Sequence, residues 1–213
     1  MDWVRFQEAL FHQAPAALGI HILMVVIAVT VAIVISVPIG ILVTRPQYKK
    51  SGIVILHILT LLQTIPGLAV VALAMPILGL GLKPAIIVLI VQGLLPIARN
   101  TIAGLAGVSI DVKEAAVGMG MPAKKVLYEI ELPLAMPVIL AGVRTSTVYV
   151  VSVGTLAAYI GGGGLGNIIL GGLSLLWPEF LLVGAGLGAI LAIVLDRLLG
   201  YVETRITPMG YEG

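Results

Sequence analysis

The chain has 213 residues, 60% of them hydrophobic and 10% charged, with a formal net charge of +2 and a mean hydropathy of +1.16. A soluble domain carries about 25% charged residues, so this composition excludes a water-soluble enzyme or binding domain and describes an integral membrane protein. There is no cysteine and there are three histidines, which removes a disulfide framework, a thiol nucleophile, a cysteine metal site and a histidine-rich metal site.

Taken in order, residues 1–15 do not read as a secretory signal. Asp2, Arg5 and Glu8 mix signs where a signal is basic. Trp3, Phe6 and Leu10 fall at i, i+3 and i+7, which predicts a short helix lying in the membrane interface, with a disordered terminus as the alternative. Residues 16–44 are the first span, well over the roughly 20 apolar residues a crossing needs. His21 reads as an interfacial side chain. Arg45, Lys49 and Lys50 follow in a short loop.

Residues 53–80 are the second span, with Gln63 and Pro66 near its middle. A proline there frees a backbone carbonyl, which neighbours or a wet cavity must satisfy. This segment therefore either faces a pathway or forms a kink that only shapes packing. Gly79 to Pro84 is a tight turn, and 85–108 is the third span, interrupted by Pro96 and ending in Arg99 and Asn100.

Residues 109–133 are the only long polar segment. Asp111 and Glu114 have capping-box spacing. Gly120 is a candidate for the left-handed position just past a helix end. Pro122 suits the first turn of a second helix, which Pro133 is expected to stop. A polar insert between two spans is where a membrane protein meets a soluble partner.

The fourth span, 134–160, is the most polar. Thr145, Tyr149, Ser152 and Tyr159 share one helical face, either as the lining of a pathway or as hydroxyls bonded within and between helices. Residues 161–179 are glycine-rich. Gly161, Gly163 and Gly166 fit the dinucleotide fingerprint only by chance, since no strand precedes them; the segment reads as re-entrant or sharply turned. The fifth span is 180–201, with Asp196 and Arg197 at its interfacial end and a short tail to Gly213. Apart from Asp196, at the interfacial end of the fifth span, no carboxylate falls inside the spans so read.

With the N-terminus outside, the inner side holds Arg45, Lys49, Lys50, Lys113, Lys124, Lys125, Arg197 and Arg205, with Arg99 and Arg144 near that face; the outer side holds Arg5 and Lys83. The positive-inside rule therefore places 109–133 in the cytoplasm and the C-terminus with it. The fold class is all-α: one polytopic membrane domain, 1–213, of about five spans.

Glu114, Ala115, Ala116, three residues, Gly120, nine residues, Ile130, one residue, then Leu132 and Pro133 resemble the EAA motif of ABC-importer permeases at every fixed position. The resemblance implies that these residues dock into a cleft on a cytoplasmic ATPase subunit. It extends over the whole chain to the compact type I importer permease core. It implies a second permease copy or paralogue around a central pathway, two ATPase subunits and an extracytoplasmic substrate-binding protein, all against membrane lipid and with no nucleic acid. This chain carries no Gly-rich loop ending in Lys-Ser/Thr and no catalytic constellation, so ATP and Mg belong to the partner ATPase and no cofactor is expected here.

QTIPGLA (63–69), MPILG (75–79), LPIARNT (95–101), GMGM (118–121) and LAAYIG (156–161) look like the osmoprotectant permeases for glycine betaine, carnitine and choline. Gly67 departs from a serine found in many of them. A quaternary ammonium donates no hydrogen bond and is held by aromatic faces. The spans offer chiefly Tyr149 and Tyr159, so selectivity is expected in the external binding protein, with hydroxyls such as Thr145 or Ser152 available to a carboxylate. Gln63, Pro66, Thr145, Tyr149, Ser152 and Tyr159 are the path candidates. Two rivals remain. One is a permease of a methionine-type or other amino-acid ABC importer. The other is a secondary transporter, which would need midplane carboxylates.

Overall fold

In hydrocarbon every backbone N–H and C=O must be satisfied within the protein, so a chain this apolar has few choices besides helices. The computed structural model describes residues 2–206, and among them there are helices and turns but no strand. The expected tail beyond Ile206 lies outside the described residues.

The first helix, α1, runs unbroken over Trp3–Val43. The separate interfacial helix expected before residue 16 is therefore corrected to a continuation of the span. A π-helical turn at Glu8–Gln13 joins the two parts, and the Ala14 N–H donates to the Ala9 carbonyl. Pro15 follows directly. An α-helical turn would press its ring on the carbonyl four residues back; the wider turn moves that carbonyl aside. The helix is about 60 Å long, twice the hydrocarbon core, so its first turns project beyond the bilayer. They are tied down there. The Asp2 N–H donates to Glu179 Oε1 at 2.5 Å, Arg5 stacks 4.6 Å from the Trp177 ring centroid, and Phe6 and Leu10 pack on Phe180, Leu165 and Ile168.

The second span is two helices rather than one. α2 (Lys49–Thr64) and α3 (Gly67–Leu78) meet at 102° across Ile65 and Pro66. The expected kink is a full break, because Ile65 and Pro66 both have extended ψ angles of 127° and 135°.

α4 (Leu82–Gly107) is the central helix. It carries Leu89 and Ile97 into the main core with Met24 and Ala28 of α1. Pro96 removes the N–H that would bond the Gln92 carbonyl, and the neighbouring carbonyls turn outward to other helices. Ser146 Oγ donates to the Gly93 carbonyl at 2.8 Å, and Ser36 Oγ donates to the Leu94 carbonyl at 2.9 Å. Such interhelical bonds contribute about 0.6 kcal/mol each in membrane proteins. Gly142 permits the close approach: a Cβ there would lie 2.5 Å from Asn100 Cβ.

α5 (Ile110–Gly118) is short and polar. α6 spans Ala123–Ile160, with a π turn at Leu127–Glu131 and a 3-10 end at Thr155–Ile160. Pro133 therefore does not stop a helix, as expected from sequence; it sits in the first turn of the α-helical stretch Leu132–Gly154. The device is the one used before Pro15: the Leu132 N–H reaches back five residues to the Leu127 carbonyl.

The glycine-rich segment turns through Gly161, Gly163 and Gly164, all with positive φ, and enters α7 (Leu165–Leu175). α8 (Pro178–Ile206) is longer than the expected 180–201. Asp196 lies eighteen residues from its outer end and ten from its inner end, so the helix continues past it. His21, expected as an interfacial side chain, is corrected to a core residue. It is fully buried, and its Nε2 sits 3.1 Å from the Val151 carbonyl.

Long-range bonds sort the connections into two ends. Arg45 and Lys113 both pair with Glu131, which gathers the 44–48 loop and the 109–131 segment at one end. The Gly81 N–H donates to the Ile160 carbonyl at 2.6 Å, which puts the α3–α4 turn at the other, with the glycine-rich segment. The basic bias predicts that the first, inner end is cytoplasmic. Single cysteines replacing Gln47, Lys124 and Lys83, all exposed, test this. An impermeant thiol reagent on intact cells should label position 83 and spare 47 and 124; the reverse pattern would invert the topology.

Candidate functional site

The polar segment is built around two helix ends. Ser109, with extended backbone at φ −52° and ψ 138°, is the N-cap of α5, and its Oγ accepts from the Asp111 N–H at 3.3 Å. The cap is thus Ser109 rather than the expected Asp111, and no capping box forms, since the third residue of the helix is Val112. Asp111 stands in the first turn, where its charge suits the helix dipole. The other end is a Schellman motif. The Met121 N–H donates to the Ala116 carbonyl at 3.1 Å and the Gly120 N–H to the Val117 carbonyl at 2.8 Å, with Gly120 at φ +85°. A Cβ at Gly120 would meet nothing within 4 Å. The requirement for glycine is conformational, worth about 1 kcal/mol.

The motif residues divide by burial. Ala116 is buried, while Glu114 and Ala115 are exposed. Ile130 and Leu132 are half-buried, Leu132 against Leu105, Val108, Ala135 and Ile139, and Pro133 is exposed. Around Glu114 the surface is unusually apolar for a polar loop: Val117 is 59% and Met119 75% exposed.

Glu131 stands on the polar segment beside Ile130 and Leu132. It is nonetheless buried. Its carboxylate receives the Arg45 guanidinium through two hydrogen bonds and lies 3.8 Å from Lys113 Nζ, which itself donates to the Leu105 carbonyl at 3.1 Å. One carboxylate on α6 thereby ties the inner end of α1 to α5. The signal available in sequence was its position between Ile130 and Leu132, both turned toward the core.

The path candidates form a stripe rather than one pocket. Thr145 and Ser152 are exposed on α6, as is Tyr159, fourteen residues beyond Thr145 and about 20 Å away. Tyr149 leaves that row and packs partly on the main core. Gln63 is half-buried and Pro66 exposed at the α2–α3 break. That break rests on the outer half of α6, since a Cβ at Gly67 would lie 3.2 Å from Leu156 Cδ1. Thr145 donates to the Ala141 carbonyl at 2.9 Å, so this hydroxyl is satisfied within its own helix. On the other flank of the stripe a groove separates α6 from α8, with Val148, Ser152 and Thr155 facing Ala185, Gly188 and Ala192. At its inner end Arg144 Nε and Nη2 donate to the two Asp196 oxygens, each at 3.0 Å, and Nη1 donates to Glu203 at 2.7 Å. Sequence reading placed both Arg144 and Asp196 near the inner interface and did not pair them.

Comparison with known proteins agrees with this architecture. Residues 36–208 match the family described as binding-protein-dependent transport system inner membrane component. The glycine betaine/carnitine/choline transport system permease protein OpuCB of Bacillus subtilis is 42% identical over 92% of this chain and 89% of its own length. The choline transport system permease protein OpuBB of the same organism is 44% identical over 90% and 88%. The carnitine transport permease protein OpuCB of Listeria monocytogenes is 44% identical over 88% and 85%. Among solved structures, the MetNI methionine ABC transporter in an inward facing conformation superposes with a TM-score of 0.76 at 22% identity, covering 89% of this chain and 94% of that one.

The Glu131 cluster makes a direct prediction. Glu131→Ala leaves two cations facing a vacated, water-poor position and should destabilise the protein by about 1.5–3 kcal/mol. In detergent the melting temperature should fall, and protease cleavage within 109–122 should rise relative to the wild type. Glu129→Ala, which removes only an exposed pair to Lys125 at 3.7 Å, should change neither by much.

Proposed function

The chain belongs to the family of binding-protein-dependent transport system inner membrane components, and from that premise we propose that it forms, with a second permease, the pathway of an ABC importer for a quaternary ammonium osmoprotectant such as glycine betaine, carnitine or choline. It is a multi-pass inner-membrane protein. The relatives at 42–44% identity are named for these solutes, whereas the methionine transporter shares the fold at only 22% identity, which favours the osmoprotectant reading over the amino-acid one. The family membership excludes a secondary transporter directly.

The observation that carries the mechanism is the continuity of α6. The same rigid element runs from Ala123 beside the Gly120 turn to Tyr159 at the far end of the polar stripe. In our reading α5 and the exposed Val117 and Met119 seat in a cleft on the cytoplasmic ATPase. ATP-driven closure of two ATPase subunits displaces that end, and the helix carries the displacement to the residues that line the path as a rigid-body movement. Glu131 recruits α1 to the same motion through Arg45. The outer face receives solute from a substrate-binding protein, and ATP and Mg stay on the ATPase.

Gly120→Asp forces a side chain into the left-handed conformation and adds a charge to the docking face. It should abolish retention of the ATPase in a pull-down and abolish uptake while leaving membrane insertion intact. Glu114→Ala keeps the Schellman turn and should weaken both by less. Normal ATPase binding and wild-type uptake in Gly120→Asp would remove the docking role.

A further inference from the structure

Charged side chains are rare inside membrane helices and face the bundle interior or a water-filled cavity. Arg144 and Asp196 break the pattern of this chain in one respect. Arg144 lies sixteen residues before Ile160 and Asp196 eighteen residues after Pro178, so both sit about 25 Å in from the outer helix ends, in the inner part of a hydrocarbon core of about 30 Å. Yet 32% of the Arg144 side chain and 34% of the Asp196 side chain remain open. They open on a cleft shared with Ala141, Thr145 and Val148. Val148 also lines the α6–α8 groove above, so groove and cleft adjoin at that residue.

Lipid is a poor neighbour for such a pair, and the charges themselves describe a better one. A guanidinium has five N–H donors, and three are used by Asp196 and Glu203. Two remain for an incoming carboxylate without breaking the pair. Asp196 supplies negative charge beside them. Gly200 gives the guanidinium its room, since a Cβ there would lie 3.2 Å from Arg144 Cζ. Above the pair the groove is walled by Ala185, Gly188 and Ala192 with Ser152 and Thr155 opposite, a surface that attracts a methylated ammonium only weakly.

Resting on the osmoprotectant reading, we propose that Arg144 and Asp196 form a transit site in the membrane for a zwitterionic solute, Arg144 holding its carboxylate and Asp196 its quaternary ammonium. A solute without a carboxylate uses only the second half of the site. The site therefore discriminates glycine betaine from choline inside the permease, independently of the external binding protein.

The test uses the complete transporter with its ATPase and binding protein, and glycine betaine and choline as probes. Val148→Cys and Ala192→Cys, in this cysteine-free chain, should react with a charged methanethiosulfonate reagent, and glycine betaine should slow the reaction. Arg144→Gln should lower maximal glycine betaine uptake about tenfold, the worth of one charge-assisted hydrogen bond, and leave choline uptake within about twofold. The exchange Arg144→Asp with Asp196→Arg restores a helix-to-helix ion pair and guards against a folding defect. It should still show an altered glycine betaine to choline ratio. Equal loss of both solutes in Arg144→Gln, with full recovery of both in the exchange, would make the pair a helix clamp and overturn the proposal. Failure of both cysteines to react would mean that lipid or a second copy covers this face, and would overturn it too. A wild-type transporter that moves none of glycine betaine, carnitine and choline would instead refute the osmoprotectant reading, and the proposal with it.

Discussion

The constraint on which this structure depends is the need to satisfy every backbone polar group out of reach of water. It explains why prolines, of which there are 12, have different outcomes at different places. Pro15 and Pro133 each follow a π turn that redirects a hydrogen bond by one residue, and the helix continues. Pro96 stays within α4 because serines on α1 and α6 serve carbonyls beside the one it orphans. At Pro66 no such repair is made, and the span breaks by 102°. Proline marks where backbone bonds must be renegotiated, and the neighbouring helices decide the result.

The same continuity joins the two functional regions. Had Pro133 ended a helix, the docking segment would hang from the membrane domain by a flexible joint and could transmit little force. The π turn removes that joint. Its last residue is Glu131, whose side chain is held by Arg45 and Lys113. The turn that accommodates the proline therefore also places the carboxylate that binds three elements together. A buried carboxylate with two cationic partners contributes more to geometry than to net stability, because desolvation offsets much of the attraction.

The interior polar groups follow a related logic. His21, Ser36, Ser146 and Thr147 are all buried, and each has a carbonyl partner. Between apolar helices in lipid there is no hydrophobic driving force, so close packing at positions such as Gly142 and these few hydrogen bonds set the register. Arg144 and Asp196 differ because they are only partly covered, which is the basis for assigning them to a wet groove.

Much of this was legible in the sequence. Long apolar runs determined an all-α membrane fold, because helix is the local answer to a missing solvent. The glycine at 120 determined a left-handed turn, because φ there depends on one residue and its nearest neighbours. The spacing from Glu114 to Pro133 carried the family. What the sequence did not determine were the features that join distant residues. The Arg45–Glu131 pair is separated by 86 residues and the Arg144–Asp196 pair by 52, and no local pattern links either. The continuity of α6 through Pro133, the break at Pro66 and the burial of His21 were likewise decided by tertiary structure. Each depends on which helix lies alongside to supply or accept a hydrogen bond, and that neighbour is chosen by packing in three dimensions rather than by adjacency in the chain.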